Sequence, residues 1–137
     1  MIRAVIDTNV LVSALIAPSG NEALIVLAVS QGMIRPCFSE PILEEYAIVL
    51  GRPRFAFPPD TIESLIAMFQ SKGVLYQPVI SGVISPDPAD TKFLHCAQAA
   101  KADFIITGNK KDFPDSPYGT TFIVNAAELI DQITLEI

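Results

Sequence analysis

Ile2-Arg3-Ala4-Val5-Ile6-Asp7-Thr8-Asn9 is the stretch on which the fold turns. Residues 2–6 form a short run rich in branched apolar side chains, the composition of a buried strand, and the run ends abruptly at an acid. A short polar side chain directly after a strand stands at the sheet's upper edge, where the backbone turns. Taken alone, Asp7 is equally well a turn or cap residue, because Asp, Thr and Asn all favour those positions.

Outward from this strand, apolar and polar segments alternate. A helix is expected over residues 9–16, stopped by Pro18, Ser19 and Gly20. Asn21 is then expected to cap a helix over 22–31, with Gly32 as its stop. Residues 34–38 predict a second strand, short or peripheral because Pro36 lacks an N–H. Ser39 caps a helix through Leu50 that Gly51 closes. Asp60 with Glu63 reads as a variant capping box opening a helix to about Lys72, before Gly73. A third strand is expected at 74–79 and a loop at 80–86. Asp87-Pro88 then starts a helix to about Lys101, with proline at the favoured first position. Strands at 104–107 and 121–124 and a last helix opening at Asn125 to Glu128 complete the chain. Alternation of this kind predicts an α/β fold: a mostly parallel sheet of about five strands covered by helices on both faces, in one domain spanning 1–137. Sites in such sheets form beyond the carboxyl ends of the strands.

Composition narrows the chemistry. Half of the 137 residues are hydrophobic, but no apolar run reaches the ~18 residues that cross a bilayer. The longest runs, 10–17 and 23–29, are interrupted or bounded by polar residues. Asp7 and Asn9 break any signal-peptide core, so a cytoplasmic protein without membrane association is expected. Cys37 and Cys96 form no zinc or redox motif, and His95 is the single histidine, so carboxylates are the available catalytic groups. The net charge of −6 runs against phosphate binding through clustered Lys and Arg. An acid cluster that holds divalent cations accounts for part of it, because the ions reverse the local sign.

The remaining acids are weighed by position. Glu44 and Glu45 flank the apolar stripe of Ile42, Leu43, Tyr46, Ala47 and Leu50 about equally, so helical periodicity does not choose between them. Asp90 falls near the stripe of Phe93, Leu94 and Ala97 and is expected to face inward, where an ionised carboxylate requires a metal, a cation or backbone N–H partners. The competing account makes Asp87 the cap and Asp90 the third helical position of a capping box. In Thr107-Gly108-Asn109-Lys110-Lys111-Asp112, Gly108 lets the chain turn sharply, while Asn109 and Asp112 are turn residues or ligands. Several carboxylates in one pocket repel by about 4 kcal/mol per pair at 4 Å and an effective dielectric of 20, so they call for cations. Oxygen donors select Mg²⁺ or Mn²⁺.

The ordered set of motifs resembles the PIN-domain family, in particular bacterial PIN toxins of toxin–antitoxin pairs of the VapC kind. The resemblance rests on Val5-Ile6-Asp7-Thr8-Asn9-Val10-Leu11, on Ser39 followed by Glu45-Tyr46, and on Arg52-Pro53-Arg54-Phe55. It continues through Asp87-Pro88-Ala89-Asp90-Thr91-Lys92-Phe93-Leu94 and Ala102-Asp103-Phe104-Ile105-Ile106-Thr107-Gly108-Asn109. It implies catalytic residues Asp7, Glu45 and Asp90, with Glu45 preferred over Glu44, and a metal set of these three with Asn109 and Asp112. Many relatives carry Asp at the fourth corner; Asn109 offers a carbonyl oxygen without charge, which Asp112 would supply. Thr8, Asn9 and Thr107 are implied as supporting residues. Arg52, Arg54, Lys92, Lys110 and Lys111 are the candidates for substrate phosphates. A strand order 3-2-1-4-5, a Mg²⁺ or Mn²⁺ cofactor, an RNA substrate, a cognate antitoxin and a homodimer also follow from the resemblance.

Two other readings compete. One is a PIN-like module that binds RNA or protein without cutting, which Asn109 and the acidic charge favour. The other is a phosphohydrolase of the haloacid dehalogenase type, which wants a second Asp two residues after the first, where this chain has Asn9.

Overall fold

A computed structural model describes residues 1–78 and 90–133. The expected loop at 80–86 and the helix start at Asp87-Pro88 lie outside the described residues. The chain opens with β1 (Ile2–Ile6) and two helices, α1 (Thr8–Ile16) and α2 (Asn21–Ser30). Then come β2 (Ile34–Phe38), α3 (Glu40–Leu50), α4 (Pro59–Lys72) and the two-residue β3 (Val74–Leu75). After the segment not described follow α5 (Thr91–Ala100), β4 (Phe104–Ile106), β5 (Phe122–Val124) and α6 (Ala126–Ile130).

The five strands form one sheet in the order β3-β2-β1-β4-β5, with every described pairing parallel. β1 is central: Val5 lies in register with Cys37 on one side and Ile105 on the other. Successive strand residues point to opposite faces, and Ala4, Val5 and Ile6 are all fully buried, so both faces of the sheet are covered. This is a three-layer α/β/α sandwich. The uninterrupted branched run that marked β1 as buried follows from that double cover. α5 packs on β1, β2 and β4, while α2 packs on β2, α1 and α6. From β1 the chain winds outward through β2 and β3, then returns to place β4 on β1's other side. The strand order thus reverses between β1 and β4, and open α/β sheets hold ligands beyond the carboxyl ends of strands at such a point.

Several local expectations change. Gly20, not Asn21, occupies the cap position of α2, and Asn21 is its first helical residue. α4 starts at Pro59, whose fixed φ suits a first helical position, so Asp60 sits inside the first turn instead of capping it. Ser39 stands at the cap of α3 but its hydroxyl makes no capping hydrogen bond. β2 is an inner strand by order, yet β3 pairs only with Cys37 and Phe38, so Pro36 lies where no neighbour on that side needs its missing N–H. β3 stops at Leu75, short of the expected 79, because its template ends: Phe38 is the last residue of β2, and its carbonyl accepts from Tyr76. α5 is described from Thr91, with Asp90 just before it in right-handed helical backbone. The last helix opens at Asn125 as expected, through a capping box in which Asn125 and Glu128 each accept from the other's backbone N–H. Among the described residues no single helix is long and apolar enough to cross a membrane.

Candidate functional site

Asp7 stands directly beyond the carboxyl end of β1, where the strand order reverses. Its N–H donates to the carbonyl of Ile106, which ties the end of β1 to the end of β4. The side chain is 5 % exposed, and its Oδ2 accepts the hydroxyl of the fully buried Thr107 at 2.8 Å. Burial pushes the Asp7 pKa up to about 6. The Thr107 hydroxyl opposes this, the charge of Glu45 adds to it, and the N–H groups of Asn9 and Thr8 at the start of α1 oppose it more weakly. Asp7 occupies the cap position of α1 without closing a regular capping hydrogen bond. The turn-or-cap account of this residue therefore explains its place in the chain but not its burial.

Glu45 reaches the same region from α3. Periodicity left Glu44 and Glu45 level; in the structure Glu44 is exposed, while Glu45 accepts the hydroxyl of Thr8 on Oε2 and the ammonium of Lys92 on Oε1 at 2.6 Å. The reason lies one residue further on. Tyr46 belongs to the buried stripe with Ile42 and Leu50, its ring set edge-on against Phe69, and it donates its hydroxyl to the carbonyl of Ile6. With Tyr46 anchored under the end of β1, its neighbour Glu45 faces Thr8. Sequence reasoning placed Tyr46 in the apolar stripe and missed this hydroxyl. The available signal was chemical: a tyrosine buried among aliphatics needs a partner for its O–H.

The turn after β4 supplies the opposite wall. Thr107 Oγ1 donates to Asp7 and accepts the N–H of Asn109 at 3.0 Å, while Asn9 Oδ1 accepts the N–H of Gly108 at 3.1 Å. Thr8, Asn9 and Thr107 thus stitch the two loops together around Asp7. Asn109 donates its amide to Asp112, which leaves Asn109 Oδ1 as the atom able to meet a cation and uses Asp112 to orient it. The chain bends at Gly108 as expected, but without a positive φ, and a Cβ there would make only ordinary contact with Asn9.

The basic candidates separate. Lys92 and Arg52 share a cleft of about 370 Å³ with Glu44 and Glu45. Arg54 turns away over the ring of its neighbour Phe55, at 4.8 Å from the centroid. Lys110 pairs with Glu128 at 2.8 Å on the surface, and Lys111 lines a separate cavity of about 290 Å³ beside Pro114 and Ser116.

The profile of the PIN domain matches residues 3–111, which takes in Asp7, Thr8, Asn9, Glu45, Asp90, Lys92, Thr107 and Asn109 but not Asp112. The chain belongs to the PIN-domain family. An uncharacterized protein of the archaeon Methanocaldococcus jannaschii is similar to it, 33 % identical over 112 residues that cover 80 % of this chain and 72 % of that protein. PIN domains are commonly nucleases that use divalent metal ions, so membership gives this chain a nuclease-like fold and supports a hydrolase.

Among the described residues no three His, Cys, Asp or Glu side chains converge into a cage, so the expected cluster of four or five ligands is not assembled. Glu45 is turned onto Thr8 and Lys92, and Asp112 onto Asn109. The donor set still fits Mg²⁺ or Mn²⁺, because such ions are commonly held by one or two carboxylates and complete their shell with water and substrate phosphate. Asp7 is the decisive fit: a buried carboxylate whose ionised form is held at a cost, which a cation would remove.

Proposed function

We propose that this PIN-domain protein is a Mg²⁺- or Mn²⁺-dependent endoribonuclease. The observation that carries the reading is the buried Asp7 carboxylate beyond the paired ends of β1 and β4, fixed by Thr107 and close to the charge of Glu45. Asp7 and Asp90 are the proposed holders of the principal ion, with Asn109 Oδ1 as a neutral donor. When bound, the ion supplies an activated water and charge stabilisation at the scissile phosphate. Thr107 holds the ion-binding carboxylate in one orientation. Glu45, fixed by Thr8 and Lys92, orients water, and Arg52 and Lys92 draw a phosphodiester backbone into their shared cleft. Lys110, Lys111 and Arg54 are placed to contribute no more than outlying charge.

The biological role proposed with this activity is that of the toxin of a bacterial toxin–antitoxin pair, acting in the cytoplasm and restrained by a cognate antitoxin, with a homodimer as the assembled form. The family resemblance of the sequence is its support. The enzymatic test is cleavage of structured RNA by purified protein: activity in Mg²⁺ or Mn²⁺ that excess chelator removes supports the reading, and the same rate in chelator ends it. Growth arrest on expression in bacteria, lost in Asp7→Asn, tests the toxin role.

A further inference from the structure

We propose that the Lys92 ammonium is a built-in cation of the acid site, occupying the place of a second divalent ion, so that the site binds a single metal ion. The inference rests on the metal-dependent reading above. Lys92 Nζ lies 2.6 Å from Glu45 Oε1, and the Thr8 hydroxyl holds Oε2, so both carboxylate oxygens are already engaged. The pair is largely shielded from water, with side-chain exposures of 27 % for Lys92 and 21 % for Glu45. A divalent ion ligated by Glu45 would have to evict an ammonium that is in hydrogen-bond contact and partly desolvated.

Charge leads to the same conclusion. The proposed holders Asp7 and Asp90, together with Glu45 and Lys92, carry two net negative charges when ionised, and Asn109 adds a donor oxygen without charge. One divalent ion neutralises this group, and a second would bring repulsion against Lys92 with no further acid to offset it. Lys92 is also reachable by substrate, because its cleft opens to solvent and contains Arg52. Lys92 stands in the first turn of α5, two residues after Asp90, and its contact with Glu45 brings that helix end beside α3. A lysine ammonium is a compact point charge able to fill an ion's position.

The test is Mn²⁺ binding, followed by calorimetry and by electron paramagnetic resonance of free Mn²⁺, for wild type, Lys92→Met and Lys92→Arg. Lys92→Met keeps the methylene stem, and its fold is checked by circular dichroism. One Mn²⁺ per chain is expected in wild type and Lys92→Arg. In Lys92→Met a second ion, or at least tenfold tighter binding of the first, is expected, together with weaker RNA cleavage. Two ions in wild type overturn the inference while leaving metal dependence intact, and so does a folded Lys92→Met with unchanged stoichiometry and affinity. No Mn²⁺ binding to wild type overturns the metal-dependent reading, and this inference with it. The wild-type stoichiometry is decisive even if Lys92→Met does not fold.

Discussion

Thr107, the first residue beyond β4, donates its hydroxyl to Oδ2 of Asp7, the first residue beyond β1, at 2.8 Å with both side chains buried. These residues are 100 positions apart, and the parallel pairing of β1 with β4 brings them together. The hydroxyl stabilises the carboxylate against the burial that raises its pKa to about 6. Thr107→Val keeps the shape and removes the donor. Its expected effect is a further rise in the Asp7 pKa, read by NMR titration of the side-chain carboxyl, with Thr107→Ser close to wild type. An unchanged titration in Thr107→Val would show that the hydroxyl does not support the charge.

Asp7 also sets a dependence of stability on pH in metal-free protein. Its folded pKa of about 6 exceeds the ordinary aspartate value of about 3.8, so the folded state binds the proton more tightly than the unfolded chain. The contribution of Asp7 to stability is therefore greatest below about pH 4, falls as pH rises toward 6, and stays lower above it, by about 3 kcal/mol. Asp7→Asn removes this penalty and retains an acceptor for Thr107. In excess chelator at pH 7.5 the variant is expected to resist urea better than wild type, and at pH 4 the difference should close. A variant less stable than wild type at pH 7.5 contradicts this account.

Tyr46→Phe deletes only the hydroxyl that reaches Ile6 and leaves that buried carbonyl short of a partner. A loss of about 1–3 kcal/mol in urea denaturation is expected. Glu45 should also lose its fixed aspect, so RNA cleavage should fall more steeply than stability alone explains. Wild-type stability in the variant would mean that the hydrogen bond carries nothing.

Gly73 joins α4 to β3 with no room for a side chain. A Cβ there would stand 2.2 Å from the carbonyl oxygen of Pro36 and 2.7 Å from the Phe38 ring. Gly73→Ala must shift backbone, so a loss of about 1–3 kcal/mol, the usual range for overpacking, is expected in thermal denaturation. Gly108→Ala, with its ordinary contact to Asn9, should stay near wild type. Equal melting temperatures for the two variants would count against the close approach at Gly73.

What the sequence could reveal followed the range of the interactions. The central strand was legible because residues 2–6 are buried on both faces and carry the composition this demands. Asp7 was legible because a strand ends on it. Glu45 and Glu44 were indistinguishable by periodicity, since their difference comes from Tyr46 locking onto Ile6, a contact across 40 residues. The capping role expected of Asp60 gave way to Pro58-Pro59, where backbone restriction outweighs side-chain preference. The extent of β3 was beyond local reading, because it depends on where its partner β2 ends. The Lys92–Glu45 pair, across 47 residues, was likewise beyond local reading; Lys92 appeared only as a phosphate candidate.

The most direct measurement of the central claim is the initial rate of RNA cleavage by wild type, Asp7→Asn and Asp90→Asn, each shown to be folded, in Mn²⁺, in Mg²⁺ and in excess chelator. The account predicts cleavage by wild type only with metal, and a fall of two or more orders of magnitude in each variant, about 3 kcal/mol of transition-state stabilisation. Undiminished cleavage by Asp7→Asn, or by wild type in chelator, would contradict it.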